Sequence, residues 1–144
     1  MRRHIVLLLC IGLSTSAFAA TEAPSFDLLK AMSADKALRT WMDMFLEYMT
    51  TKRGMSDALR LVIASGGNPF AESRARLLGA FTALMKAGAA EGTLRDDLDP
   101  ADLLASVSGV SLAVTEPGQR EQAGRLLDLL MDGLRYRAAA TRDG

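Results

Sequence analysis

Few side chains in this 144-residue chain suit covalent chemistry, and the most versatile stand at one end. The single histidine is His4 and the single cysteine is Cys10. Beyond Cys10 there is nothing for a Cys/His zinc site, a cysteine nucleophile, a serine–histidine triad, a disulfide or a histidine switch. Ser33-Ala34-Asp35-Lys36 has the serine–x–x–lysine spacing in which lysine helps to activate serine. The accompanying motifs are missing: Ser56-Asp57-Ala58 is not serine–aspartate–asparagine, and no lysine–threonine–glycine exists. A helix N-cap is the simpler role for Ser33. Tyr48 and Lys52 stand one helical turn apart, like the tyrosine–lysine pair of a dehydrogenase. No strand followed by a glycine-rich turn is there to hold the nicotinamide that such a pair serves. Asp96, Asp97, Asp99 and Asp102 carry charge enough for calcium, yet lack the glycine and distal glutamate of a helix–loop–helix site. Helix capping and the helix dipole account for them. Ser108 lies mid-helix, not at a nucleophile elbow. No enzymatic activity, cofactor or metal is expected.

Binding is the better use of this composition. Eight methionines are present, and Met42, Met44, Met49, Met55 and Met85 fall among Trp41, Phe45, Tyr48, Phe70 and Phe81. Such a set either packs a core or lines an adaptable apolar pocket, because thioethers reshape around varied ligands. The candidate ligand residues are Trp41, Phe45, Tyr48, Met49, Phe81 and Met85, facing an apolar small-molecule effector. Lys plus Arg and Asp plus Glu each number 17, for a formal net charge of zero. Arg74 with Arg76, and Arg135 with Arg137, are scattered pairs without interleaved aromatics, so direct nucleic-acid contact is not expected.

The elements that must position these residues begin with a segment outside the fold. Arg2 and Arg3, the apolar Ile5–Leu13 and the small–x–small Ala17-Phe18-Ala19 make residues 1–19 look like a secretory signal. The apolar run is far shorter than the roughly 20 residues of a membrane helix. Cleavage after Ala19 would leave 15 basic and 17 acidic side chains and no membrane span. Export follows if the signal is used; a cytoplasmic location follows if that N-terminus is a gene-model or fusion artefact. Residues 20–33 read as a linker with a short helix, 34–139 as one helical domain and 140–144 as a tail.

Within the domain the apolar spacing is helical throughout, giving an all-α fold of five to six helices. Ser33 starts a helix that runs to about Lys52, with Leu38, Trp41, Met42, Phe45, Tyr48 and Met49 on one face. Shorter and longer helices follow over Asp57–Ala64 and Pro69–Glu91, and Asp99-Pro100 starts another. Leu103 to Thr115 contains no charge, so that helix is expected to be buried on every side. The final helix, about Gln119 to Ala139, has a polar stripe of Glu121, Arg125, Asp128, Asp132 and Arg135 and more leucine than one face needs. A second copy is the economical cover for that surplus. The expected homodimer interface, a four-helix bundle of the last two helices, uses Leu104, Gly109, Leu126, Leu130, Gly133 and Leu134.

An ordered set of segments carries a family likeness. It comprises Thr51-Lys52-Arg53-Gly54-Met55, then Arg74-Ala75-Arg76-Leu77-Leu78, then Ala89 to Pro100, and finally Leu126 to Arg135. From about Ala34 to Tyr136 the chain resembles the C-terminal domain of TetR-type transcriptional regulators, closest to the SbtR-like branch. The resemblance implies an all-helical effector-binding and dimerisation domain without enzymatic activity. Such regulators carry an N-terminal helix-turn-helix reader. The roughly 30 residues before the resemblance are too few for one, so this chain is not expected to bind an operator alone. The alternative is an exported periplasmic helical binding or interaction protein. If the signal segment is used, the N-terminal peptide of the native protein will begin at Ala20, as its mass will report.

Overall fold

The computed structural model describes residues 27–54, 64 and 69–140. The signal-like segment, the linker up to residue 26, most of the helix expected over 57–64 and the tail from 141 lie outside the described residues. Within them the chain is helix and turn, with no strand. Residues 27–31 form a short helical stretch, followed by α1 (Ala34–Gly54), α2 (Pro69–Glu91) and α3 (Pro100–Ala113). A 3-10 turn, Pro117–Gln119, then runs directly into α4 (Arg120–Ala140).

The core is organised about α1, which touches α2, α3 and α4. Its apolar face, Leu38, Trp41, Met42 and Phe45, recurs at three and four residues and is buried throughout. Trp41 meets Phe81 of α2 edge-on at 4.6 Å between ring centroids and stacks along its own helix on Phe45 at 6.0 Å. Phe45 in turn meets Phe81 edge-on at 6.5 Å. Rings of this size bury roughly 150–250 Å² each, and at about 25 cal/mol per Å² that is roughly 4–6 kcal/mol of transfer free energy apiece. Leu103, Leu104 and Val107 of α3 and Leu127, Met131 and Leu134 of α4 close the same cluster.

Local chemistry fixes where the helices begin and end. Asp99 sits in an extended conformation and its carboxylate accepts from the Ala101 N–H at 2.8 Å, with Pro100 in the first turn. Helix α2 stops at Gly92, whose φ of 73° lies in the left-handed region that glycine occupies without strain. The Thr93 and Leu94 N–H groups then both donate back to the Gly88 carbonyl, at 2.9 and 3.1 Å. This fold-back presses Leu94 onto Gly88, where a β-carbon would collide with the leucine side chain.

The start of α1 differs from the expected cap. The Ser33 hydroxyl donates to Asp35 Oδ1 at 2.7 Å, and the Ala34 N–H is taken by Glu91 Oε2 at 2.8 Å. A carboxylate from the end of α2 therefore caps α1 from outside its own sequence. The uncharged helix α3 also departs from burial on every side. Leu103, Leu104, Val107 and Ser111 face the core, whereas Ala105, Ser106, Gly109, Leu112 and Ala113 are exposed. Among the described residues, the core meets that helix on one side.

Two substitutions test this packing. Trp41→Ala empties the centre of the core and should lower unfolding free energy by about 3–5 kcal/mol. Gly88→Ala should cost about 1–3 kcal/mol because Leu94 must move. Urea unfolding followed by circular dichroism measures both; a loss below about 1 kcal/mol for Trp41→Ala would contradict its central place.

Candidate functional site

The six expected ligand residues are brought together, but largely as close-packed core. Trp41, Phe45, Phe81 and Met85 are buried and in mutual or shared contact, while Tyr48 and Met49 are half-buried at the edge of the cluster. An open cleft among the described residues lies further along α1. A cleft of about 280 Å³ is lined by Asp43, Leu46, Thr50 and Arg53 on one side. Its other walls come from Ser111 and Val114 at the end of α3 and from Arg120, Ala123 and Gly124 at the start of α4. None of the six expected residues lines it.

Arg53 shapes this cleft. Its Nη1 donates to the Ser111 carbonyl at 2.9 Å and reaches the Val114 carbonyl at 3.4 Å. Its Nη2 reaches Val114 O at 3.4 Å and Thr50 Oγ1 at 3.5 Å. A helix C-terminus leaves carbonyls without intrahelical donors and carries partial negative charge, so a guanidinium there satisfies both needs. The sequence motif around Arg53 announced its family pattern without revealing this partner, which lies 58 residues away.

Charged pairs join α1 to α4 along an antiparallel seam. Asp35 meets Arg135 at 2.8 Å, Arg39 meets Asp128 at 2.8 Å and Glu47 meets Arg120 at 2.7 Å. Arg39 also pairs with Asp43 one turn along α1 and donates to the Gly124 carbonyl at 3.3 Å. Burial opposes the Arg39 charge, but the hydrogen bonds to Asp43 and Asp128 outweigh it and hold its pKa above the usual value. Burial likewise opposes ionisation of Asp35, yet hydrogen bonds from Ser33 and Arg135 prevail and lower its pKa. Asp128 and Arg135, read in the sequence as part of a polar stripe, pair with α1 at the edge of the domain. Arg95 makes a further tie: its backbone N–H donates to Leu134 O at 2.9 Å while its side chain pairs with Asp97.

The expected interface residues divide into two groups. Leu104 and Leu134 are buried at 4% and 3% exposure and belong to the chain's own core, because helical spacing aligns them with Val107 and with Leu127 and Met131. Gly109 and Gly133 are exposed, with none of the described residues within 4 Å of where a β-carbon would stand. Leu126 and Leu130 are partly exposed, and Leu130 also packs against the chain's own core. The composition pointed to surplus leucine but not to its members: among the described residues Leu112, Leu129 and Tyr136 are the large apolar side chains left outside, at 69%, 67% and 76% exposure. On α4, Leu126, Leu129, Gly133 and Tyr136 follow one another at three and four residues and form a single outer stripe.

Residues 33–136 match the family described as transcriptional regulator SbtR-like, C-terminal domain. The crystal structure of a TetR transcriptional regulator from Streptomyces coelicolor is similar, with a TM-score of 0.81 and 44% sequence identity. That match covers 85% of this chain and 70% of the other. No curated protein matches the chain. The chain belongs to the SbtR-like C-terminal domain family of TetR transcriptional regulators. No helix among the described residues is long and apolar enough to cross a membrane.

The Asp35 pairing gives a signed acid dependence. A carboxylate whose pKa falls on folding adds stability that is complete above its ordinary value of 3.8 and lost as pH drops through the lower folded value. The stability advantage of the parent over Asp35→Asn should therefore shrink as pH falls below about 4. Urea unfolding at stepped pH checks this; a constant difference would remove Asp35 from that role.

Proposed function

We propose that this chain serves as the dimerisation and effector-sensing module of a TetR-like regulator, pairing through α3 and α4 with a second copy. The observation that carries the reading is the outer face of these helices. Ala105, Gly109, Leu112 and Ala113 of α3 and Leu126, Leu129, Gly133 and Tyr136 of α4 leave an apolar surface without a formal charge among them. The glycines favour close approach of another helix pair, and the leucines and tyrosine supply area to bury. A two-fold arrangement presents the same patch from both copies, so complementarity is required of one surface only. The ordered serines favour the same use of α3. Ser106, Ser108 and Ser111 hydroxyls donate to carbonyls of their own helix at 2.8, 2.7 and 2.7 Å, leaving their polar groups satisfied if a partner excludes water.

In this reading an effector acts by favouring one arrangement of α1 against α3 and α4, and hence one geometry of the paired helices. Of the ion pairs along the α1–α4 seam, Glu47–Arg120 is suited to that role, since both side chains are exposed and such pairs contribute only about 0–1 kcal/mol and exchange partners readily.

Gly109→Leu tests the interface cleanly, because its side chain enters open space within one chain. Light scattering should give twice the chain mass for the parent and a dissociation constant raised at least about tenfold for the variant, roughly 1.4 kcal/mol. Helical circular dichroism should be unchanged. A monomeric parent would overturn the reading, and a variant that dimerises as well as the parent would move the interface off this face.

A further inference from the structure

Building on the effector-sensing role, we propose that the cleft between α1 and the α3–α4 junction binds a small organic acid. Its carboxylate would be held by Arg120 and Arg53 and its apolar body by Leu46, Val114 and Ala123. The cleft volume of about 280 Å³ is near the lower end of small-molecule sites, which suits a ligand of one ring or a short carbon chain. Leu46, Val114 and Ala123 give the cleft apolar walls, which a purely polar ion would leave unmatched.

The sign of the ligand's charge follows from which groups are already committed. Asp43 is held by Arg39 one turn away on the same helix, and Glu116 stands at the N-cap of the turn leading into α4, where the helix dipole favours negative charge. The bases are more available. Arg120 pairs with Glu47 only at the surface, where the two side chains are 63% and 61% exposed. Such a pair is worth little and is readily exchanged for a carboxylate on a drier wall. Three of the four contacts made by Arg53 lie at 3.4–3.5 Å, near the outer limit of hydrogen bonding. An anionic group entering here gains charge-assisted bonds from two guanidinium groups on different helices, whereas a cation finds its acids engaged. The same step links occupancy to the paired helices. When Arg53 turns toward a ligand, its grip on the Ser111 and Val114 carbonyls slackens, and with it the last turn of α3.

Benzoate and hexanoate are suitable probes, with benzamide and hexylamine as neutral and cationic counterparts at equal ionic strength. Calorimetry and thermal shift on the full chain should show millimolar or tighter binding of the two acids, and at least about tenfold weaker binding of the amide and amine. Arg120→Gln, an exposed change that leaves the core untouched, should weaken the acids at least about tenfold. Arg53→Gln should do the same, and Arg125→Gln, exposed on α4 and outside the cleft lining, should not. Absence of acid binding, equal binding of benzamide or hexylamine, or full affinity in Arg120→Gln would overturn the proposal. Light scattering on the same samples separates the two readings. A dimer that ignores both acids removes this ligand class alone, and a monomer removes the module on which it rests.

Discussion

The edge-on contact between Trp41 and Phe81 is the constraint from which the rest of this domain follows. It joins the middle of α1 to the middle of α2, and the other helices approach through side chains that cover those rings. Interiors are packed as densely as organic crystals, so rings held at 4.6 Å leave little freedom in how α3 and α4 can lie against them. Leu103, Leu104 and Val107 must turn one way on α3, and Leu127, Met131 and Leu134 one way on α4. What these helices present outward is then fixed as the remainder of their circumference.

That division explains how one short helix can be uncharged without being wholly buried. Leu103 to Thr115 holds no charged residue, yet only one side of it meets the core. The other side is small rather than bulky, with Ala105, Gly109 and Ala113 beside a single exposed Leu112. A surface of that shape is poor at holding water in place and good at accepting another helix closely. The polar edge has the opposite character. Arg39, Asp128, Asp35 and Arg135 hold α1 against α4 by directional charged contacts at the edge of the core.

The cleft arises where these two regimes meet. The fully buried rings end at Phe45, and beyond it α1 continues to Gly54 with Tyr48 only half-buried at the cluster's edge. Arg53 spans the gap by reaching the carbonyls at the end of α3. A long, flexible cation on free helix carbonyls is a looser closure than packed rings, and it leaves room beside it.

Periodicity and punctuation in the sequence were enough for the helices themselves. Leu38, Trp41, Met42 and Phe45 marked a buried face by their spacing, Asp99-Pro100 marked a start and Gly92 a stop. The family pattern was legible in the same way, because an ordered set of short segments survives in the linear chain. The fate of individual side chains was not. Trp41 and Phe81 have the composition of a ligand pocket and became core, because their rings fill each other's space. Leu104 and Leu134 went inward while Leu129 and Tyr136 went outward, and only the rotation of each helix against its neighbours separates them. Glu91 capping Ala34, and Arg53 gripping Ser111, join residues 57 and 58 positions apart. Local spacing determines which residues share a helix face, whereas contacts across such distances exist only once the core has set the helices in place.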